Sequence, residues 1–155
     1  MILIDQSCQK KIWKISLRYL VLAFLMVFSS VSAESFKVGN LTVSEAFAYP
    51  TNGKSGAGYF TLKNDGAEDV LIGVSGDFPR VMVHESIMKN GVMKMKHRMK
   101  VKIPTEDIFE FKPGGYHVMF MGLSEDWNVM DEITVTLKFK KAGQLDVRLL
   151  VIPRP

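Results

Sequence analysis

From Glu34 onward this chain predicts an all-β fold, an antiparallel β-sandwich, on three observations. Short runs of alternating or β-branched apolar residues recur along its whole length. Gly, Pro, Asn and Asp punctuate those runs at regular intervals. No stretch between them carries a helical period. About eight short strands at such spacing pair antiparallel, because parallel neighbours in sequence would need crossover connections that this chain does not supply.

The elements follow in order. Phe36 to Tyr49 (FKVGNLTVSEAFAY) reads as one or two strands ending at Pro50, and residues 50–58 (PTNGKSGAG) read as a loop whose Gly, Asn and Pro suit tight turns. Gly58 to Lys63 (GYFTLK) is a strand closed by Asn64-Asp65-Gly66. Asp69 to Val74 (DVLIGV) follows, and Ser75 to Pro79 turns the chain into Val81. Near the C-terminus, Asp131 to Phe139 and Leu145 to Ile152 are strands joined by Lys140-Lys141-Ala142-Gly143-Gln144, a ready hairpin connection. Repeats, low-complexity segments and linkers are absent from 34–155, which reads as one domain.

Residues 1–33 have the pattern of an export signal. Lys10, Lys11, Lys14 and Arg18 precede an apolar run from Tyr19 to Phe28, and Val31-Ser32-Ala33 offers small residues for cleavage after Ala33. The apolar run is short for a membrane span, so the expectation is a periplasmic protein with no membrane segment after cleavage. Cleavage removes four of the 20 Lys+Arg and one of the 16 Asp+Glu, leaving a net charge of +1. The basic balance therefore belongs mainly to the leader, and a nucleic-acid partner loses its electrostatic support. The single cysteine, Cys8, precedes the apolar run and leaves with it, so no disulfide or thiolate is available to the domain.

The chemistry of the chain is concentrated between Val81 and Met121, which hold all three histidines and seven of the ten methionines. Thioether sulfur is soft and imidazole borderline, so a Met/His cluster without thiolate or carboxylate points to Cu(I) before zinc, calcium or iron. Asn90-Gly91 between two β-like runs predicts a two-residue type I′ hairpin. Facing residues then have numbers summing to 181. His84, Ser86 and Met88 share a face with Met93, Met95 and His97, His97 lies opposite His84, and Met95 lies one diagonal step away. In residues 116–121 (YHVMFM), alternation sends Tyr116, Val118 and Phe120 to the core and leaves His117, Met119 and Met121 on an outward face or rim. Pro113-Gly114-Gly115 supplies the bend that brings His117 into position. Methionine also fills gaps in cores, and packing is the expected role of Met82, Met88, Met99 and Met130.

These residues resemble the PCuAC family, small exported copper chaperones of bacterial periplasms. The family pattern of His, ten residues, Met, twenty-one residues, His-x-Met is intact as His84, Met95 and His117-Val118-Met119. The phrases VHESIMKNGVMKM, FKPGGYHVMFMGL and GYFTLKNDG carry the resemblance across nearly the whole domain. It implies a cupredoxin-like Greek-key sandwich holding one Cu(I) on His84, Met95, His117 and Met119. His97 faces His84 in the hairpin register, and a bulge or longer turn would let Met95 take its place. Family members often have Trp-Ala-Arg where this chain has Phe47-Ala48-Tyr49, a difference that concerns a partner or packing contact.

The implied function is non-enzymatic: uptake of Cu(I) and delivery to a copper-acceptor protein such as a cytochrome c oxidase subunit. A copper-sequestering role, or a binding module whose Met/His cluster is incidental, is the alternative. A blue-copper electron carrier needs a cysteine thiolate that the domain lacks. For a catalytic metal site the nearest carboxylate is Glu85, which alternation turns to the opposite face.

Overall fold

The computed structural model describes residues 34–155, so the expected leader and its cleavage after Ala33 lie outside the described residues. Eleven strands make up the described chain: β1 (Ser35–Val38), β2 (Leu41–Ala48), β3 (Ser55–Asn64), β4 (Asp69–Ser75), β5 (Arg80–Lys89), β6 (Val92–His97), β7 (Val101–Ile103), β8 (Asp107–Phe111), β9 (Tyr116–Met121), β10 (Glu132–Phe139) and β11 (Gln144–Val151). Hydrogen-bonded neighbours run β6-β5-β9-β8-β3-β2-β11-β10-β4-β7, with β1 on β2. The all-β sandwich is thus as the sequence predicts, with more strands than the eight expected.

The core is one cluster fed by alternate positions of both halves of that path. Val83, Val118 and Phe120 come from the β5–β9 side, and Val135, Leu137, Val147 and Leu149 from the β10–β11 side. Trp127 caps it with edge-on contacts to Phe78 and Phe120, at centroid distances of 5.8 and 5.1 Å. Period-two burial in β11, where Leu145, Val147, Leu149 and Val151 are buried between exposed neighbours, is the pattern of a sheet with one dry face.

Three local features depart from the expected strands. Residues 55–57 belong to β3 and not to the preceding loop. Their small size, which reads as turn-like, has a packing cause: a Cβ on Gly56 would come within 2.4 Å of the Trp127 ring, so glycine is what lets Trp127 lie against the strand. The short strands β7 and β8 fall in a segment with mixed signals. Two brief parallel contacts also occur, Leu150↔Phe47 with Val151↔Ala48, and Phe111↔Tyr116. The first joins strands separated by most of the domain, so no local crossover is needed.

The second follows from how β3 is shared. Its C-terminal half pairs with β8 (Phe60↔Phe111 to Asn64↔Asp107) and its N-terminal half with β9 (Ser55↔Met121 to Gly58↔Val118). β8 and β9 are therefore one strand broken in the middle. At the break Gly114 has φ +78°, and the Gly115 N–H donates to the Lys112 carbonyl at 3.0 Å. This jog steps β9 sideways, so that beyond it β9 lies between β3 and β5. The bend expected at Pro113-Gly114-Gly115 is there, and it is what sets His117 beside β5.

Candidate metal centre

The hairpin register follows the Asn90-Gly91 turn without a bulge. Both turn residues have positive φ, 53° and 74°, as a type I′ turn demands. His84 faces His97, Ser86 faces Met95 and Met88 faces Met93. On its other side β5 pairs with β9, placing His84 opposite His117, Met82 opposite Met119 and Arg80 opposite Met121. Cross-strand partners share a face, so one face of the three adjacent strands carries every histidine of the chain in a single row. The His84 ring lies 5.9 Å, centroid to centroid, from His97 on one side and 5.9 Å from His117 on the other.

The two imidazoles facing each other across β5 and β9 differ in their hydrogen bonding. His117 Nδ1 is 3.1 Å from the Gly115 carbonyl, and since a carbonyl only accepts, Nδ1 carries the proton. Nε2 is left with its lone pair, the usual arrangement of a ligating histidine. His84 Nδ1 is buried with no hydrogen-bond partner. An unpaired buried nitrogen costs about 1–3 kcal/mol, a cost that an ion bound at that nitrogen would relieve. Partial burial, and then the neighbouring His117 and His97 rings, hold the His84 imidazole below its ordinary pKa, so it is neutral and able to donate at pH 7.

His117 is buried, 5% exposed, and not on the outward rim that alternation suggests. The cause is long-range: Tyr59 on β3 stands 6.4 Å from the imidazole and belongs to an aromatic group with Phe47 and Tyr49. Met119, half-buried, lines a neighbouring 330 Å³ cleft with Tyr49, Tyr59, Lys54 and Arg154. The Phe47-Ala48-Tyr49 segment is thus part of the wall around the site. Sequence reasoning did not find Tyr59, because its proximity depends on the β3–β9 pairing.

Met95 is offset from His117 and Met119, although the register puts it as near to His84 as Met119 is. It lies on the edge strand opposite Ser86, 62% exposed. Strand spacings of about 4.8 Å and 3.3 Å per residue put its Cα about 16 Å from that of Met119 in a flat sheet. The structure therefore brings together His84, His117 and Met119, and holds Met95 on the outer strand of the hairpin, at the base of its arm. That arm has little support. Ladder pairing with β9 ends at Glu85↔Tyr116, the Ser86 N–H still donates to the Gly115 carbonyl at 3.0 Å, and from Ile87 to Lys94 the hairpin is a two-stranded ribbon, a form that twists and bends easily. Its base is fixed on the opposite face, where Arg98 Nε donates to Glu85 at 2.7 Å. Glu85 is thus turned away from the histidine row, as alternation predicts. Among the described residues no three His, Cys, Asp or Glu side chains converge to hold a metal unaided, and Met119 is the thioether that the β5–β9 register sets nearest the His117 position on β9.

Comparison with known proteins places this geometry. The family model described as "Putative lipoprotein LpqE-like" matches residues 41–151. A curated protein of Leifsonia xyli subsp. xyli (strain CTCB07), "Putative lipoprotein Lxx21020", is 26% identical over 126 residues, covering 79% of this chain and 76% of that protein. Among solved structures, the copper-bound PCuAC domain from PmoF2 superposes with a TM-score of 0.65 at 23% identity, covering 78% of this chain and 99% of that one. The Cu(I) form of DR1885 from Deinococcus radiodurans superposes at 0.55 with 25% identity, covering 80% and 83%. The fold is that of PCuAC domains, as the sequence motif led one to expect.

Proposed function

The chain belongs to the LpqE-like family, and on that premise we propose that it is an exported copper chaperone, holding one Cu(I) on His84, His117, Met119 and Met95. Export agrees with the lipoprotein names of its relatives, and copper with the titles of the PmoF2 and DR1885 structures. The observation that carries the reading is the His84–His117 pair: two imidazoles 5.9 Å apart, one fixed in the ligating tautomer and the other with an unpartnered buried nitrogen.

The donors match the ion. Two imidazoles and two thioethers are neutral, so Cu(I) is bound without expelling protons once the histidines are unprotonated. Sulfur favours Cu(I) over Cu(II) and lowers the tendency to cycle in an oxidising compartment. His84, His117 and Met119 form the fixed part of the seat on β5 and β9. Met95 joins when the free ribbon of β5 and β6 curls over the histidine row. Reversal of that curl exposes the ion from one side, where an acceptor's ligands replace the chaperone's in turn. The acceptor we assign, following the PCuAC resemblance, is a copper enzyme such as a cytochrome c oxidase subunit.

Anaerobic Cu(I) titration with X-ray absorption tests the reading. The expected result is one Cu(I) per chain with two sulfur and two nitrogen neighbours. Met95→Leu should weaken binding at least ~10-fold, about 1.4 kcal/mol. A stoichiometry other than one, or a shell without sulfur, refutes it.

A further inference from the structure

The register of β5 against β9 places one more donor against the histidine pair than the sequence motif contains. Met82 lies opposite Met119, two residues along both strands from His84 opposite His117. Opposed residues of an antiparallel pair have Cβ atoms about 5 Å apart, and successive same-face positions are about 6.6 Å apart along each strand. Met82, His84, His117 and Met119 therefore occupy the corners of one small rectangle, all on the same face. Met82 is half-buried there, whereas Met88, Met93, Met95, Met99 and Met130 are each more than half exposed. No movement of the hairpin arm is needed to assemble this rectangle.

We propose that Met82 is a thioether ligand for Cu(I), giving the site a complete two-imidazole, two-thioether shell while the hairpin arm is extended. The proposal rests on the copper-carrier reading above and adds a second state to it. With the arm extended, Cu(I) sits on Met82, His84, His117 and Met119. With the arm curled, Met95 exchanges with Met82 over the same two imidazoles. One neutral thioether replaces another, so charge and proton count are unchanged and the ion is never left with two ligands. The arm can then open toward an acceptor without releasing its cargo to solvent.

The experiment compares the wild type, Met95→Leu and the Met82→Leu/Met95→Leu double variant, each loaded anaerobically with one equivalent of Cu(I). Leucine keeps the volume of methionine, so the fold tolerates both changes. X-ray absorption should count two sulfur neighbours in Met95→Leu and one in the double variant, with affinity at least ~10-fold lower in the double variant than in Met95→Leu. In Met95→Leu labelled at methionine methyls, the Met82 signal should shift on adding Cu(I). A single sulfur in Met95→Leu, or an unmoved Met82 signal, overturns the proposal and leaves the carrier reading intact. Failure of the wild type to bind Cu(I) overturns the carrier reading itself.

Discussion

Replacing His117 by alanine and by asparagine separates its two duties. The ring is 5% exposed and its Nδ1–H donates to the Gly115 carbonyl at 3.1 Å, at the jog that positions β9. Alanine deletes the buried ring, worth about 1.5–3 kcal/mol of burial, and the hydrogen bond, worth about 1 kcal/mol. The metal-free protein should therefore lose about 2–4 kcal/mol, or roughly 10 °C in Tm for a domain of this size. Asparagine projects an amide N–H where Nδ1–H was, so it can restore the bond to Gly115 while offering no nitrogen lone pair. Its metal-free stability should lie within about 2 kcal/mol of wild type. Both variants should bind Cu(I) at least ~10-fold more weakly. Copper at 100 times its dissociation constant adds about 2.7 kcal/mol to the wild type and much less to either variant. Urea unfolding with and without anaerobic Cu(I) measures all of these. Wild-type copper affinity in His117→Asn, or an undiminished metal-free stability in His117→Ala, would refute the assignment.

Two further outcomes concern pH and the far side of the sandwich. Because the His84 pKa is depressed in the fold, its stability contribution is complete above the unfolded value of about 6.5 and is lost as pH falls through the folded value. Cu(I) affinity should fall below that range as His84 is protonated, by up to tenfold per unit; a decline beginning near pH 8 would count against His84 as a ligand. Asp69 is buried at the start of β4 and accepts from the backbone N–H groups of Val70, Lys141 and Ala142 at 2.7, 2.9 and 2.9 Å. Burial opposes its charge, but those bonds and Lys141 prevail and hold its pKa below the usual value. Its contribution is therefore complete above about pH 3.9 and lost in more acid solution. Asp69→Ala should cost about 2–4 kcal/mol in urea unfolding, since two turn N–H groups lose a charged acceptor; a cost below about 1 kcal/mol would show that water replaces it.

Local chemistry made the hairpin legible in the sequence, and long-range pairing hid the rest of the centre. Asn90-Gly91 dictates a turn type, the turn dictates the register, and the register sets His84 against His97. Alternation likewise separates His117 and Met119 from Val118 and Phe120. Which strand lies beside which is a different kind of information. The Met82–Met119 pair and the cover that Tyr59 gives His117 both arise from β9 being inserted between β5 and β3, strands remote in sequence. Met82 by itself has the look of a core methionine, and only its partner across the ladder changes that reading. The glycine-rich start of β3 misleads for a related reason: Gly56 is small because of Trp127, seventy-one residues away.

The strand that carries Met95 is also the open edge of the sheet. Every residue of β6 is exposed, and among the described residues no further strand lies beyond it to occupy its outward N–H and C=O groups. An edge of this kind invites other chains to add on, the more so when it is lined with apolar side chains. Here the methionines alternate with Lys94 and Lys96, which face the opposite side of the ribbon, across from Ile87 and Glu85. Those ammonium groups would be stacked against their own copies in an edge-to-edge association, and their desolvation and repulsion discourage it. The surface can thus stay open toward the acceptor proposed above while resisting fibre-like self-assembly. Neutralising Lys94 and Lys96 would leave the proposed ligands in place and turn the same edge into an aggregation hazard.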